Sequence, residues 1–307
     1  MTNGLTSILS SALPVPLVEI AAHSVHLVIK REDLVHSEVS GNKFWKLLYN
    51  IEKYLEPKPK APRVVTFGGA FSNHIAATAA MGKLLGVETL GIIRGDELAN
   101  KWEQNPTLAK AVADGIELRF VSRSDYREKR KLTLELQREF PDALVIPEGG
   151  TNELAVEGVQ YMLDERTAEF DYLCCPVGTG GTIAGLSKYA EDHQSVLGFK
   201  VVNDDSLRPT ISKLSGRNNF ELINVADGGY GKVTDEDVDF VNNFYKHYGI
   251  LLDPIYTAKL MRKLLSLIES GYFRNGSRIL AFHTGGLQGI NGINYKLRQA
   301  GRKTIEL

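Results

Sequence analysis

The chain has 307 residues, with 36 Lys+Arg against 37 Asp+Glu and a formal net charge of −1. That balance gives no electrostatic case for nucleic acid or an anionic membrane surface as a partner. A hydrophobic fraction of 43%, with no apolar run near the roughly 18 residues of a membrane span, fits a globular chain with room for two domains or one large one.

Residues 1–20 (MTNGLTSILSSALPVPLVEI) lack a basic n-region and a long apolar core, so no secretory signal is expected and a soluble, cytoplasmic protein is. Strands are expected at 26–30 (HLVIK), 63–67 (RVVTF, stopping at Gly68-Gly69), 88–94, 116–121 and 143–146. Further strands follow at 171–177, 196–202, 220–225 and 277–283. Between them, helical periodicity is read at 43–54, 73–85, 106–114 and, as a basic exposed helix, 125–140. Helices also start near Asn152, after the Gly-rich loop at 178, and near Thr234, Tyr256 and Gln288. This βαβ alternation predicts an α/β fold with parallel or mostly parallel sheets flanked by helices. The only cysteines, Cys174 and Cys175, are adjacent in an apolar run and read as two core thiols.

Three segments carry candidate chemistry. Gly178, Thr179, Gly180, Gly181 and Thr182 follow a strand and open a helix, so their amides can converge on an anion. The spacing fails as a dinucleotide fingerprint, because the third glycine would fall at Ile183, and it lacks the Walker G-K-[ST]. A cradle for one phosphate monoester remains, alongside a plain glycine turn. Lys43, after Ser40-Gly41-Asn42, is either a solvated lysine or an amine whose pKa is lowered by desolvation or by Lys46, as an aldehyde-binding lysine needs. Ser72, Asn73 and His74, after Gly68-Gly69-Ala70-Phe71, are either helix caps or receivers of a substrate carboxylate. An amine, one phosphate cradle and the Gly-flanked hydroxyl of Thr284 (His283-Thr-Gly-Gly286) together suit pyridoxal 5′-phosphate (PLP).

The ordered set KREDL (30–34), SGNKFWKL (40–47), GGAFSNH (68–74), PEGGTN (147–152), PVGTGGTIAGL (176–186), GGYGK (228–232), LDPIYTAK (252–259) and HTGG (283–286) covers nearly the whole chain. It strongly resembles the family of 1-aminocyclopropane-1-carboxylate (ACC) deaminases and D-cysteine desulfhydrases, PLP enzymes of the tryptophan-synthase-β-like fold type II. The resemblance implies two α/β domains with PLP in the cleft between them, residues 1–46 and 151–307 forming the large PLP-binding domain and 47–150 the small one. It also implies a homodimer acting on a small amino acid, without metal.

By the same resemblance, Lys43 holds PLP covalently, and Gly178, Thr179, Gly180, Gly181 and Thr182 bind its phosphate. Asn73 contacts its phenolic oxygen, and Ser72 binds the substrate carboxylate or helps move a proton. Tyr230 and Tyr256 are active-site tyrosines, and Lys46 either reaches the phosphate or is solvated. ACC deaminases carry Glu after the tyrosine of LDPIY, facing the pyridine nitrogen; here that residue is Thr257, and Thr284 offers a second hydroxyl. A carboxylate there strengthens the electron sink that ring opening needs, whereas a hydroxyl suffices when a thiolate leaves from Cβ. The expected activity is therefore α,β-elimination of D-cysteine or related β-substituted D-amino acids to pyruvate, ammonia and sulfide. The alternatives are ACC deamination and a non-catalytic PLP-binding protein. Trp45 stands where the family more often carries Arg or another polar residue.

Overall fold

The computed structural model describes residues 14–226 and 229–307. The N-terminal residues 1–13, where the expectation of no signal segment partly falls, and Asp227 with Gly228, the first residue of the GGYGK motif, lie outside the described residues.

Two sheets organise the molecule. The larger has six strands in the order β1-β2-β10-β7-β8-β9, built from β1 (Leu17–Ile20), β2 (His26–Lys30), β7 (Tyr172–Val177), β8 (Ser195–Lys200), β9 (Phe220–Asn224) and β10 (Arg278–Phe282). The smaller has the order β5-β4-β3-β6, from β3 (Arg63–Gly68), β4 (Glu88–Arg94), β5 (Ile116–Val121) and β6 (Leu144–Ile146). Apart from the antiparallel pair β1–β2, the paired strands run parallel. Parallel strands need both faces covered, which is why β4 (ETLGIIR) is buried along its whole interior rather than alternating.

The helices are α1 (Asn42–Leu55), α2 (Asn73–Leu85), α3 (Pro106–Ala113), α4 (Lys129–Glu139), α5 (Glu153–Val159), α6 (Gly181–Tyr189), α7 (Leu207–Ser215), α8 (Asp235–Tyr248), α9 (Thr257–Glu269) and α10 (Gly289–Gln299). Their starts follow sequence cues: Ser72, Asn105 and Asn152 accept amide hydrogen bonds at the N-termini of α2, α3 and α5, and Thr234 with Asp237 closes a capping box on α8.

Two elements escape the sequence reading. LVEI at β1 is a short edge strand, and α7 (LRPTISKLS) carries Pro209 inside its first turn, where the missing N–H costs nothing. The basic helix expected from 125 starts at Lys129, after a separate 3-10 turn at Asp125–Arg127.

One apolar core runs across both sheets. Val28, Leu173 and Leu280 of the large sheet share it with Val64 and Ile146 of the small sheet, through Phe44, Trp45, Leu47, Leu48 and Ile51 of α1. Helix α1 thus wedges between the sheets, and Gly158 of α5 lets it approach closely, since a Cβ there would lie 2.3 Å from Trp45 O. Cys174 and Cys175 are buried free thiols in different clusters, as strand alternation requires. No helix among the described residues is long and apolar enough to cross a membrane.

Candidate active site

The carboxyl ends of β3, β6, β7 and β10 emit the loops GGAFSNH, PEGGTN, GTGGT and HTGG, and the N-termini of α1 and α9 join them. Clefts at this end of parallel strands are where α/β folds bind ligands.

Lys43 lies in the first turn of α1. The turn is fixed from below and beside. The amide of Gly41 donates to Glu32 O at 2.8 Å, tying it to the KREDL segment. Glu32 is itself buried and accepts 2.6 Å from Trp45 Nε1, so the indole serves a buried carboxyl. Burial pushes that carboxyl up to about 7, with the Lys30 charge and the indole N–H opposing. Gly41 has φ +73°, and a Cβ there would sit 1.9 Å from Thr284 O, so the SGNK and HTGG turns interlock backbone to backbone. The Lys43 side chain is half-buried, and its amine has no hydrogen bond or ion pair among the described residues. Desolvation alone lowers its pKa to about 8. An amine so placed is a usable nucleophile near neutral pH.

One turn on, Lys46 is buried at 1% exposure, which overturns the solvated reading. Its amine donates to Gly149 O at 2.7 Å and Thr151 Oγ1 at 3.3 Å, both neutral. Burial first, then the charge of Lys43, drive its pKa well down. It touches the Gly-rich loop: a Cβ on Gly181 would lie 2.9 Å from Lys46 Nζ and 2.7 Å from Thr151 Oγ1. The loop is gripped further by Asn42 Nδ2, which donates to Thr182 Oγ1 at 2.7 Å, and by the Thr151–Thr179 hydroxyl pair at 2.6 Å. Gly178, Thr179, Gly180 and Gly181 then lead into the N-terminus of α6, with Gly180 at φ +87°. A buried cation without a counter-charge, pressed on glycines at a helix N-terminus, fits a phosphate.

Ser72 is the N-cap of α2, its Oγ accepting from Ile75 N at 3.3 Å. Asn73 Oδ1 accepts from Gln288 Nε2 at 3.2 Å, and Asn73 Nδ2 stands 2.5 Å from where a Gly286 Cβ would be, so Asn73 docks on the HTGG loop. His74 points away from solvent. Thr66 Oγ1 donates to Ile146 O, so the 2.8 Å contact is a donation from His74 Nε2, leaving Nδ1 bare and unpartnered against Gly150. Burial and the two lysine charges keep this ring neutral.

Tyr230 and Tyr256 meet at 2.8 Å between hydroxyls, the first half-exposed at the rim, the second beside Gly178. Burial raises both phenols above their ordinary pKa, so both stay protonated. Thr257 is buried at the first position of α9, and its hydroxyl donates to Asp253 O at 3.2 Å. Thr284 is buried in the HTGG turn, which His283 Nδ1 closes by accepting from Gly285 N.

The structure thus brings Lys43, Lys46, the Gly-rich loop, Asn73, Thr284, Tyr230 and Tyr256 together at the carboxyl ends of these strands. Sequence reasoning missed three contributors. Gly149 and Thr151 are the partners of Lys46, and the PEGGTN turn at a strand end was their signal. Asp253 is buried, accepts from Tyr256 N at 2.6 Å, and has Cγ 3.5 Å from the position of a Gly286 Cβ; its position three residues before Tyr256 was a helix-start signal.

Comparison with known proteins agrees with this geometry. A Thermotoga maritima protein provisionally named 1-aminocyclopropane-1-carboxylate deaminase is 33% identical, over 87% of this chain and 91% of its own. The bifunctional D-cysteine desulfhydrase/1-aminocyclopropane-1-carboxylate deaminase of Arabidopsis thaliana is 29% identical over 87% of this chain and 74% of its own. Among solved structures, an ACC deaminase homologue superposes with a TM-score of 0.75 at 27% identity, covering 97% of this chain and 99% of that one. Residues 8–285 match the family described as pyridoxal-phosphate dependent enzyme, and with the cradle, the buried cation and the unpartnered amine in one cleft, the chain belongs to that family.

Proposed function

We propose that the chain is a PLP-dependent lyase that eliminates the β-substituent of a small D-amino acid, D-cysteine being the model substrate. With water, D-cysteine yields pyruvate, ammonia and hydrogen sulfide. PLP supplies a bonded electron sink for the charge left when the Cα–H bond breaks. Lys43 would hold it through its amine and would serve as the base at Cα; its pKa of about 8 leaves a useful neutral fraction near neutral pH. Lys46, Thr179, Thr182 and the amides of Gly178, Gly180 and Gly181 would hold the phosphate, and Asn73 would hold the phenolic oxygen. Ser72 and the N-terminus of α2 receive the carboxylate. Tyr230 and Tyr256, kept protonated by burial, give a proton to the departing thiolate. In this reading residues 47–150 form a smaller domain facing the larger one, and the assembly is a homodimer, which a solution mass of two chains would bear out.

The observation that carries elimination over ring opening is Thr257. Its side chain is neutral and its proton is committed to Asp253 O, so the first residue of α9 brings no fixed negative charge to the cofactor ring. ACC deamination is the second reading, favoured by the names of the Thermotoga and Arabidopsis relatives.

The test is pyruvate or 2-oxobutanoate release by the PLP-loaded chain offered D-cysteine, β-chloro-D-alanine, L-cysteine and ACC. Pyruvate from the D-substrates, lost in Lys43→Ala, is expected. Turnover of ACC would replace the first reading with the second, and silence on all four would sink both.

A further inference from the structure

Arg94 is the last residue of β4, and in the parallel register Ile93 stands beside Gly68, where β3 opens into the GGAFSNH turn. Its guanidinium reaches over that turn: Nη2 is 3.6 Å from where a Cβ on Gly69 would lie, and Gly69 O accepts from Ser72 N. Below, the guanidinium rests 5.7 Å from the ring centre of Tyr126, a buried side chain that fixes its height. The Arg94 charge is also felt at the Tyr230 phenol, whose pKa burial raises and which Tyr256 and Arg94 lower. Arg94 therefore stands on the same rim as Ser72 and Tyr230.

Its charge has no partner among the described residues. Three other arginines of this half are held by carboxylates, Arg63 by Glu88, Arg119 by Glu139 and Arg123 by Glu97. The nearby carboxylates are committed elsewhere, Glu97 to Arg123 and Glu148 to Lys129 at 2.8 Å. An arginine steadied on an aromatic ring, facing a cleft and left without a counter-charge is set to take an anion in a forked pair.

In the proposed site the anion is not the α-carboxylate, assigned to the N-terminus of α2, nor the phosphate, assigned to Lys46 and the Gly181 loop. We propose that Arg94 is a specificity residue that receives a negative group at the far end of the substrate side chain, so the preferred substrates are amino acids whose β-substituent carries a carboxylate, sulfonate or similar anion. This rests on the reading of the cleft as an amino-acid lyase site.

The test uses the PLP-loaded full chain and two substrate pairs alike in shape but not in charge. Dissociation constants of D-glutamate and D-glutamine, neither with a leaving group at Cβ, are read from the cofactor absorbance. Pyruvate release is read from O-succinyl-D-serine and O-acetyl-D-serine, which share an ester leaving group. The wild type is expected to favour the anionic member of each pair by about tenfold, the turnover preference lying in KM rather than kcat. Arg94→Gln should bring both ratios to near one and leave the KM of the neutral substrate unchanged, Arg94→Lys should keep part of the preference, and Arg138→Gln, an exposed control on α4, should keep all of it. High salt should shrink the preference. Equal handling of charged and neutral members by wild type, or a preference that survives Arg94→Gln, overturns the proposal while leaving the lyase reading intact. Arg94-dependent preference for D-glutamate without any elimination would support the anion site and sink the lyase reading. Binding and turnover of neither pair would overturn both.

Discussion

Lys46 Nζ donates 2.7 Å to Gly149 O, and no carboxylate among the described residues pairs with this buried amine. Folding therefore takes a lysine out of water without giving it a counter-charge, and only a bound anion supplies one. Its folded pKa lies well below the unfolded value, so the folded state binds fewer protons. Stability of the cofactor-free protein consequently rises with pH up to the unfolded lysine pKa of about 10.4. Lys46→Met should remove that slope and leave the cofactor-free protein at least as stable as wild type at pH 7 by denaturant titration. The same variant should bind PLP at least about tenfold more weakly, as read by absorbance titration. A variant that binds PLP as tightly as wild type would place the phosphate away from Lys46.

The contact between Gly41 and Thr284 O makes a sharper demand on the backbone. A Cβ at Gly41 meets a carbonyl oxygen at 1.9 Å, whereas Gly86, also at positive φ, has nothing within 4 Å. Gly86→Ala should cost about 1 kcal/mol, the conformational term alone. Gly41→Ala adds an overlap that must push the SGNK and HTGG turns apart, and should cost about 3 kcal/mol or more by urea unfolding. Equal costs at the two sites would mean that the turns are not in contact.

Much of this arrangement is legible from sequence because it is local. Apolar runs that stop at Gly68-Gly69 or Gly178 announce strand ends, and Ser72, Asn152 and Thr234 announce helix starts, since each is a matter of neighbouring residues. Lys43 and the Gly-rich loop are visible for the same reason. What stays hidden depends on chain segments far apart meeting in space. Lys46 reads equally as phosphate-binding or solvated until Gly149 and Thr151 are seen to close over it, and Trp45 is unexplained until the buried Glu32 appears beneath it. Arg94 carries no local cue, because what distinguishes it is its seat on the Tyr126 ring beside the Gly69 turn, and such contacts are set by the fold.

Lys43 is expected to react as an amine with a pKa of about 8, lowered by desolvation rather than by a neighbouring charge. Labelling of the cofactor-free protein with trinitrobenzenesulfonate over pH 6–11, quantified at the Lys43 peptide, should give a midpoint there. A midpoint near 10 is that of a freely solvated lysine and would remove the basis for its role. Because the cause is burial and no charged partner is involved, raising the salt should leave the midpoint in place.

Asp253 offers the remaining pH test. Burial raises its carboxyl from 3.8 to about 7, against the opposing amides of Tyr256, Thr257 and Ile255 and the charge of Lys259. A folded pKa above the unfolded one means that the folded state holds the extra proton. The stabilisation is complete below about pH 4 and is lost progressively as the pH rises to about 7. Above that the loss is constant. Asp253→Asn keeps a side-chain oxygen for the amide of Tyr256, which now approaches Asp253 Oδ1 at 2.6 Å, and removes the proton. The variant should lack the decline between pH 4 and 7 and gain about 1–3 kcal/mol over wild type at pH 8 relative to their difference at pH 4. Parallel stability curves for the two proteins across that range would show that the Asp253 carboxyl is charged at neutral pH. A permanent negative charge would then stand beside Gly286, next to Asn73, and the contrast between a neutral Thr257 and a carboxylate at the cofactor ring would lose its force.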